Sequence, residues 1–277
     1  MRRWPAALLA LLCMMTGCAV PGVLVPTPTP LPAPVTPQMM QMACSDNLTP
    51  LVMALASAYQ SAEPGVQIVV VERADTLAYQ ALVNGDVDMA ALSWLPTTVS
   101  EEVWHAPFAR DGLAVVVNTR NGLPGLTLDQ LRQLFLGRVE DGAPWGGLPG
   151  TPQLISREEA SGDYNFFQVR VMGDARVALT ALLAPTGAAV REGVSSEPLA
   201  VGYLSTAWLD GDVRALTIEG IPPANETIAA GLYPLSRDLF LATLGEPQGM
   251  ARLFIQWALS PEGQSIVTAH RFTPLSP

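Results

Sequence analysis

Ser156–Phe167 reads SREEASGDYNFF and follows a short strand candidate, QLIS. Arg157 ends the strand, and the Ser161-Gly162 turn feeds a helix running to Met172. Helix starts present unpaired N–H groups and partial positive charge, so they attract anions. Small residues let the backbone approach closely, and arginine adds a forked, charged donor. Strand, arginine, small turn and helix together describe an oxyanion cradle within an α/β fold. Asp163 stands where a third donor would serve.

The same alternation extends on both sides. QMACS (41–45) is a strand candidate, and Thr49-Pro50 reads as a helix cap with proline in the first turn. Leu51, Leu55, Ala58, Tyr59 and Ala62 then recur at helical spacing until Pro64-Gly65. VQIVVVE (66–72) is a continuous apolar run, expected to be buried on both faces. A second helix is expected over 76–83, a third strand at VDMAAL (87–92) and a fourth at GLAVVVN (112–118). This order predicts an α/β sheet with parallel members. LTLDQLRQLFLG (126–137) is amphipathic: Thr127 caps it, and Leu128, Leu131, Leu134 and Phe135 form its apolar face. AVGYLS (200–205) is a later strand, and helices close the chain near 247–259 and from Ser260-Pro261.

The ends and the composition bound the function. Arg2 and Arg3 precede a short apolar run, Ala6–Met15, which leads into Met15-Thr-Gly-Cys18. That run is too short to span a bilayer as a stable helix. It reads as a signal peptide over 1–17, and its end resembles a lipobox that would lipidate Cys18; an ordinary secretory signal is the alternative. The Pro-rich stretch from Ala19 to Gln38 is an extended tether, placing the linker at 18–40. The expected protein is therefore exported and held at the outer face of the cytoplasmic membrane by its lipid alone. Loss of residues 1–17 leaves 13 basic against 25 acidic residues, a net charge of −12. So acidic a body is not expected to bind nucleic acid. Beyond Cys13 and Cys18 only Cys44 remains, which excludes an intrachain disulfide in the mature body.

Six segments in order resemble the phosphate-type solute-binding proteins of ABC importers, in the periplasmic-binding-protein superfamily. They are GDVDMAALS, FARDGLAVVVNTRNGLPGLTLDQLRQLFLGRV, SREEASGDYNFF, AVGYLS, YPLSRDLFLAT and FIQWALSPEGQSIVTAHRFTPL. The resemblance implies two α/β lobes joined by a hinge, with ligand in the cleft between them. Lobe 1 would comprise 41–113 plus 232–277, and lobe 2 would comprise 114–231. It also implies a small oxyanion ligand, phosphate first, an ABC permease partner, a monomer, no cofactor and no metal.

Residue by residue, Arg157, Ser161 and Gly162 match the family's Arg-x-x-x-Ser-Gly-Thr turn, and Asp163 replaces its threonine. Ser45, Asp46 and Asn47 lie in a loop similar to the family's Gly-Ser-x-Thr loop. Asp75 falls near a family serine, and Ser93 precedes Trp94 where many members carry an acid or arginine. Asp46, Asp75 and Asp163 thus lie at or near the cradle. Each is also near a helix start, where aspartate is a preferred cap. As caps they would occupy the amides an anion uses. A carboxylate ~4 Å from a bound anion, at an effective dielectric of about 20, opposes it by roughly 4 kcal/mol. That amounts to about three decades in affinity. Alternatively, one aspartate accepts the proton of hydrogen phosphate, or the ligand has changed to a cation or a neutral polyol.

An enzyme is disfavoured. The two histidines, His105 and His270, are far apart, and no Gly-x-Ser-x-Gly, His-Glu-x-x-His or Cys-x-x-Cys occurs. The remaining rival is a sensor or interaction module of the same fold that no longer transports.

Overall fold

The computed structural model describes residues 37–275; the expected signal peptide, Cys18 and nearly all of the linker lie outside them. Strand β1 (Gln38–Cys44) starts three residues before the expected Gln41, because Gln38–Met40 already pair with Val66–Ile68 and Met40 points into the core. Helix α1 (Thr49–Ala62) buries Leu51, Val52, Leu55, Ala56 and Tyr59. Thr49 is not its cap: it is the first helical residue, and its hydroxyl bonds the Glu72 carboxylate at 2.8 Å. Strand β2 (Val66–Glu72) is not buried on both faces as expected; only Ile68 is buried, because β2 is the edge of the sheet. Helix α2 (Asp75–Val83) and strand β3 (Met89–Leu92) follow, the latter buried throughout.

GLAVVVN is only the second half of a 16-residue strand, β4 (Val103–Asn118). A short β5 (Gly125–Leu126) leads to helix α3 (Leu128–Phe135). Thr127 and Gln130 form a reciprocal capping box there, and Leu131, Leu134 and Phe135 are buried. Then come β6 (Gln153–Arg157), α4 (Gly162–Phe167), which runs on as a π-helical turn to Met172, and β7 (Leu182–Ala184). Helix α5 (Gly187–Ser196), strand β8 (Ala200–Ser205), strands β9 (Val213–Ala215) and β10 (Thr217–Ile218) and helix α6 (Asn225–Ala229) follow. Strand β11 (Ser236–Leu244), helices α7 (Gly249–Ala258) and α8 (Pro261–Ala269), and β12 (Thr273–Pro274) close the chain.

The main sheet runs β2-β1-β3-β11-β4-β8-β6-β7. Its two wings are parallel, β2-β1-β3 on one side and β8-β6-β7 on the other. Antiparallel β11 and β4 join them. The sheet is therefore mixed, with the expected parallel members in both wings and antiparallel pairing at its centre.

Two large hydrophobic cores form along it, with two smaller clusters, one around Leu82 and Leu92 and one around Val190 and Leu204. The first draws on Met40, Leu51, Phe108, Leu239, Leu241 and Phe254, with Tyr59 edge-on to Phe254 at 5.4 Å. The second draws on Leu113, Val115, Phe135, Phe167, Tyr203 and Leu235. Phe167 stacks on Tyr203 at 4.1 Å. Strand β4 feeds both, with Phe108 in one core and Leu113 in the other. Loops at the ends of β1, β3 and β6 meet between the cores.

Candidate functional site

All nine residues singled out as anion contacts come together in this seam. Ser45, Asp46 and Asn47 occupy the turn between β1 and α1. Asp75 is the first residue of α2, and Ser93 follows β3. Arg157 ends β6, Ser161 caps α4, and Gly162 and Asp163 are its first residues. Seven of the nine carry buried side chains, and Arg157 is only 2% exposed.

Arg157 is the hub. Its Nη1 donates to Asp163 Oδ2 at 2.7 Å, and its Nη2 donates to Asp46 Oδ1 at 2.9 Å and to the Pro185 carbonyl at 3.0 Å. Burial works against this charge, but Asp163 and Asp46 outweigh it and hold the guanidinium pKa above its ordinary value. Tyr203 fixes the strand end: its hydroxyl lies 2.8 Å from Ser156 Oγ and accepts from Arg157 N at 3.3 Å.

The three aspartates do not cap their own helices. Asp75 Oδ1 accepts from Ser93 N at 2.6 Å and from Ser93 Oγ at 3.0 Å. Its Oδ2 reaches across the seam to Gly162 N, 2.9 Å away at the start of α4. Asp46 Oδ2 accepts from Gly187 N, 2.9 Å away at the start of α5. Asp163 takes no amide; its Oδ1 accepts from Arg237 Nη2 at 2.6 Å and lies 3.5 Å from Asn47 Nδ2. Asn47 is oriented by Ser45, whose Oγ donates to its Oδ1 at 2.6 Å. Ser161 Oγ accepts from Asp163 N at 3.2 Å.

The sequence reading missed Arg237, Asp111 and Gly187. Arg237 lies on β11 and donates to Asp111 Oδ2 through Nε and Nη2, at 3.1 and 2.7 Å. Asp111 Oδ1 accepts from Ser205 and Thr206 hydroxyls at 2.9 Å each. A signal for Arg237 was present. In SRDLFL the buried positions are Arg237, Leu239 and Leu241, a period of two that carries the arginine onto the core face.

Three carboxylates, Asp46, Asp111 and Asp163, thus share two guanidiniums, while a fourth, Asp75, has no cationic partner within salt-bridge distance among the described residues. Burial raises the pKa of Asp75, Asp111 and Asp46, with the amides and arginines pulling against it. Cys44 lies beneath the turn, fully buried and free, its thiol pushed up to about 11 by burial. Among the described residues no group of three or more His, Cys, Asp or Glu is placed to hold a metal ion. The arrangement therefore offers guanidinium and helix-start N–H donors to an oxyanion, with carboxylates now engaging most of them.

The sequence model of the PBP superfamily domain matches residues 31–262. The phosphate-binding protein PstS of Pseudomonas aeruginosa is 26% identical over 264 residues, covering 83% of this chain and 81% of that protein. PstS of Bacillus subtilis is 29% identical over 167 residues, 60% of this chain, and this chain spans 55% of its length. Among solved structures, an ABC-type phosphate transport receptor from Vibrio cholerae superposes with a TM-score of 0.75 at 25% identity, covering 86% of this chain and all of the other. The chain belongs to the PBP, or periplasmic-binding-protein, superfamily.

Proposed function

We propose that this protein is the extracytoplasmic solute-binding component of an ABC importer, taking phosphate or a related small oxyanion between its two cores. The observation that carries the reading is Arg157, a buried arginine beside the Ser161-Gly162 helix start and opposite Ser45, Asn47 and Ser93. The relatives' phosphate-binding names support the same ligand. The binding residues are Ser45, Asp46, Asn47, Asp75, Ser93, Arg157, Ser161, Gly162 and Asp163, with Arg237 added. We place the lobes at 41–113 plus 232–277 and at 114–231, although Leu113, Tyr233 and Leu235 of the first pack into the core of the second. The protein binds and releases its solute without chemistry on it. Lipidation of Cys18 would hold it at the membrane.

Isothermal titration of phosphate into purified protein, freed of ligand by mild unfolding, tests this at about pH 5.5 and about pH 8. Binding is expected at both, tighter at the acidic value, where Asp46, Asp75 and Asp111, raised by burial, are less fully ionised and oppose the anion less. No heat at either pH overturns the reading. It would favour a non-transporting sensor or interaction module, for which the hydrogen bonds of Asp46 and Asp75 to Gly187 N and Gly162 N already speak.

A further inference from the structure

We infer that Asp163 is a tethered stand-in for the anion, and that its carboxylate holds the two cores together before any solute arrives. The inference rests on the receptor reading only in taking the seam as the solute site. Asp163 lies where both buried guanidiniums converge, 2.7 Å from Arg157 Nη1 and 2.6 Å from Arg237 Nη2. A free oxyanion bound by the same arginines would make these contacts. Asp163 already makes them, and it is attached to the chain.

Five further contacts cross the seam. Arg157 pairs with Asp46, Asp46 accepts from Gly187 N, and Asp75 accepts from Gly162 N. Thr76 N donates to the Ala160 carbonyl at 3.1 Å, and Asn47 reaches Asp163 at 3.5 Å. The cores approach so closely that a Cβ on Gly162 would lie 2.6 Å from Asp75 Cγ. Arg157 Nε and Arg237 Nη1 nevertheless remain buried without a hydrogen-bond partner among the described residues. The carboxylate therefore satisfies these arginines only in part, and a ligand with more acceptor oxygens has donors to gain.

Charge points the same way. With four carboxylates around two guanidiniums, adding an anion while Asp163 stays in place would deepen an unbalanced negative cluster. The solute must displace Asp163 from its arginines. A tethered group competes at an effective concentration far above that of a dilute solute. Apparent affinity falls by the fraction of molecules in the competent state. Asp163 is thus the residue that sets affinity.

The test compares small-angle scattering of the full chain with that of Asp163→Ser and Asp46→Ala, each with and without inorganic phosphate. Asp46→Ala, whose side chain is 15% exposed, is the control: it loses the contacts of Asp46 to Arg157 and Gly187 N but leaves Asp163 on both arginines. The expected result is a compact wild type whose radius of gyration does not change with phosphate. Asp163→Ser expands without it, whereas Asp46→Ala stays compact because Asp163 still bridges both arginines. Asp163→Ser contracts again on phosphate and binds it about 10-fold or more tighter than wild type by titration. A wild type that is expanded alone and contracts with phosphate overturns the inference. So does an Asp163→Ser variant that stays as compact as the wild type without ligand, or an Asp46→Ala variant that expands as far as Asp163→Ser. An Asp163→Ser variant that expands but ignores phosphate leaves the tethered carboxylate standing and sinks phosphate as the ligand.

Discussion

Arg157 carries more of this site than any other side chain, and its removal is costly for a reason separate from binding. Arg157→Ala strands Asp163 and Asp46, which it pairs at 2.7 and 2.9 Å in the seam. Breaking a buried pair from one side typically costs about 3–5 kcal/mol, because a charge is left unpaired out of water. Urea unfolding should show that loss, and a change under about 1 kcal/mol would mean the seam opens to solvate the acids. At this scale the sequence was partly legible. Residue types close in sequence, Arg157, Ser161 and Gly162, announced a cradle because a strand end and a helix start are local facts. The partners of the aspartates were not legible. Asp75 meets Gly162 across 87 residues and Asp46 meets Gly187 across 141, and only the folded sheet sets those meetings.

Among the elements, α3 shows how local signals suffice and α4 how they do not. Thr127 and Gln130 cap α3 reciprocally, and the buried Leu131, Leu134 and Phe135 follow the spacing read from the sequence. Thr127→Ala should lower stability by about 1 kcal/mol, measured by thermal or urea unfolding, since one orphan N–H loses its acceptor. Helix α4 has only six residues and depends on what faces it. Gly162 there is needed for space rather than for backbone freedom. A methyl group would press on Asp75 and Ser93 across the seam. Gly162→Ala should therefore speed hydrogen exchange at the Ser93 and Gly162 amides, which Asp75 now protects, while leaving the second core's amides unchanged. Equal exchange at those two amides in variant and wild type would show that the seam yields without opening. Strand β2 was misread for a related reason. A run such as VQIVVVE states that a strand forms, but whether it is central or at an edge is decided by its neighbours.

For the whole molecule, the imbalance of four carboxylates over two guanidiniums has a consequence in pH. Burial holds Asp75, Asp111 and Asp46 above their ordinary values, so the folded chain keeps protons that the unfolded chain releases from about pH 4 upward. Stability from such groups is complete below the unfolded value and is lost as pH rises through the folded one. The shifted arginines and tyrosines titrate at strongly basic pH and do not enter this window. Asp141, lowered by the Gly150 and Ala143 amides, acts in the opposite sense only at more acidic pH. The melting temperature should therefore be higher near about pH 5 than near about pH 8, against the usual rise away from acid for proteins with paired carboxylates. Asp75→Asn removes the titration but sets a donor NH2 against Ser93 N or Gly162 N, so its slope with pH rather than its absolute melting temperature reads the cause. The variant should show a shallower slope between the two. A wild type equally stable at both values, or an Asp75→Asn slope as steep as its own, would mean that the arginines fully balance the cluster and that its acids are ionised throughout.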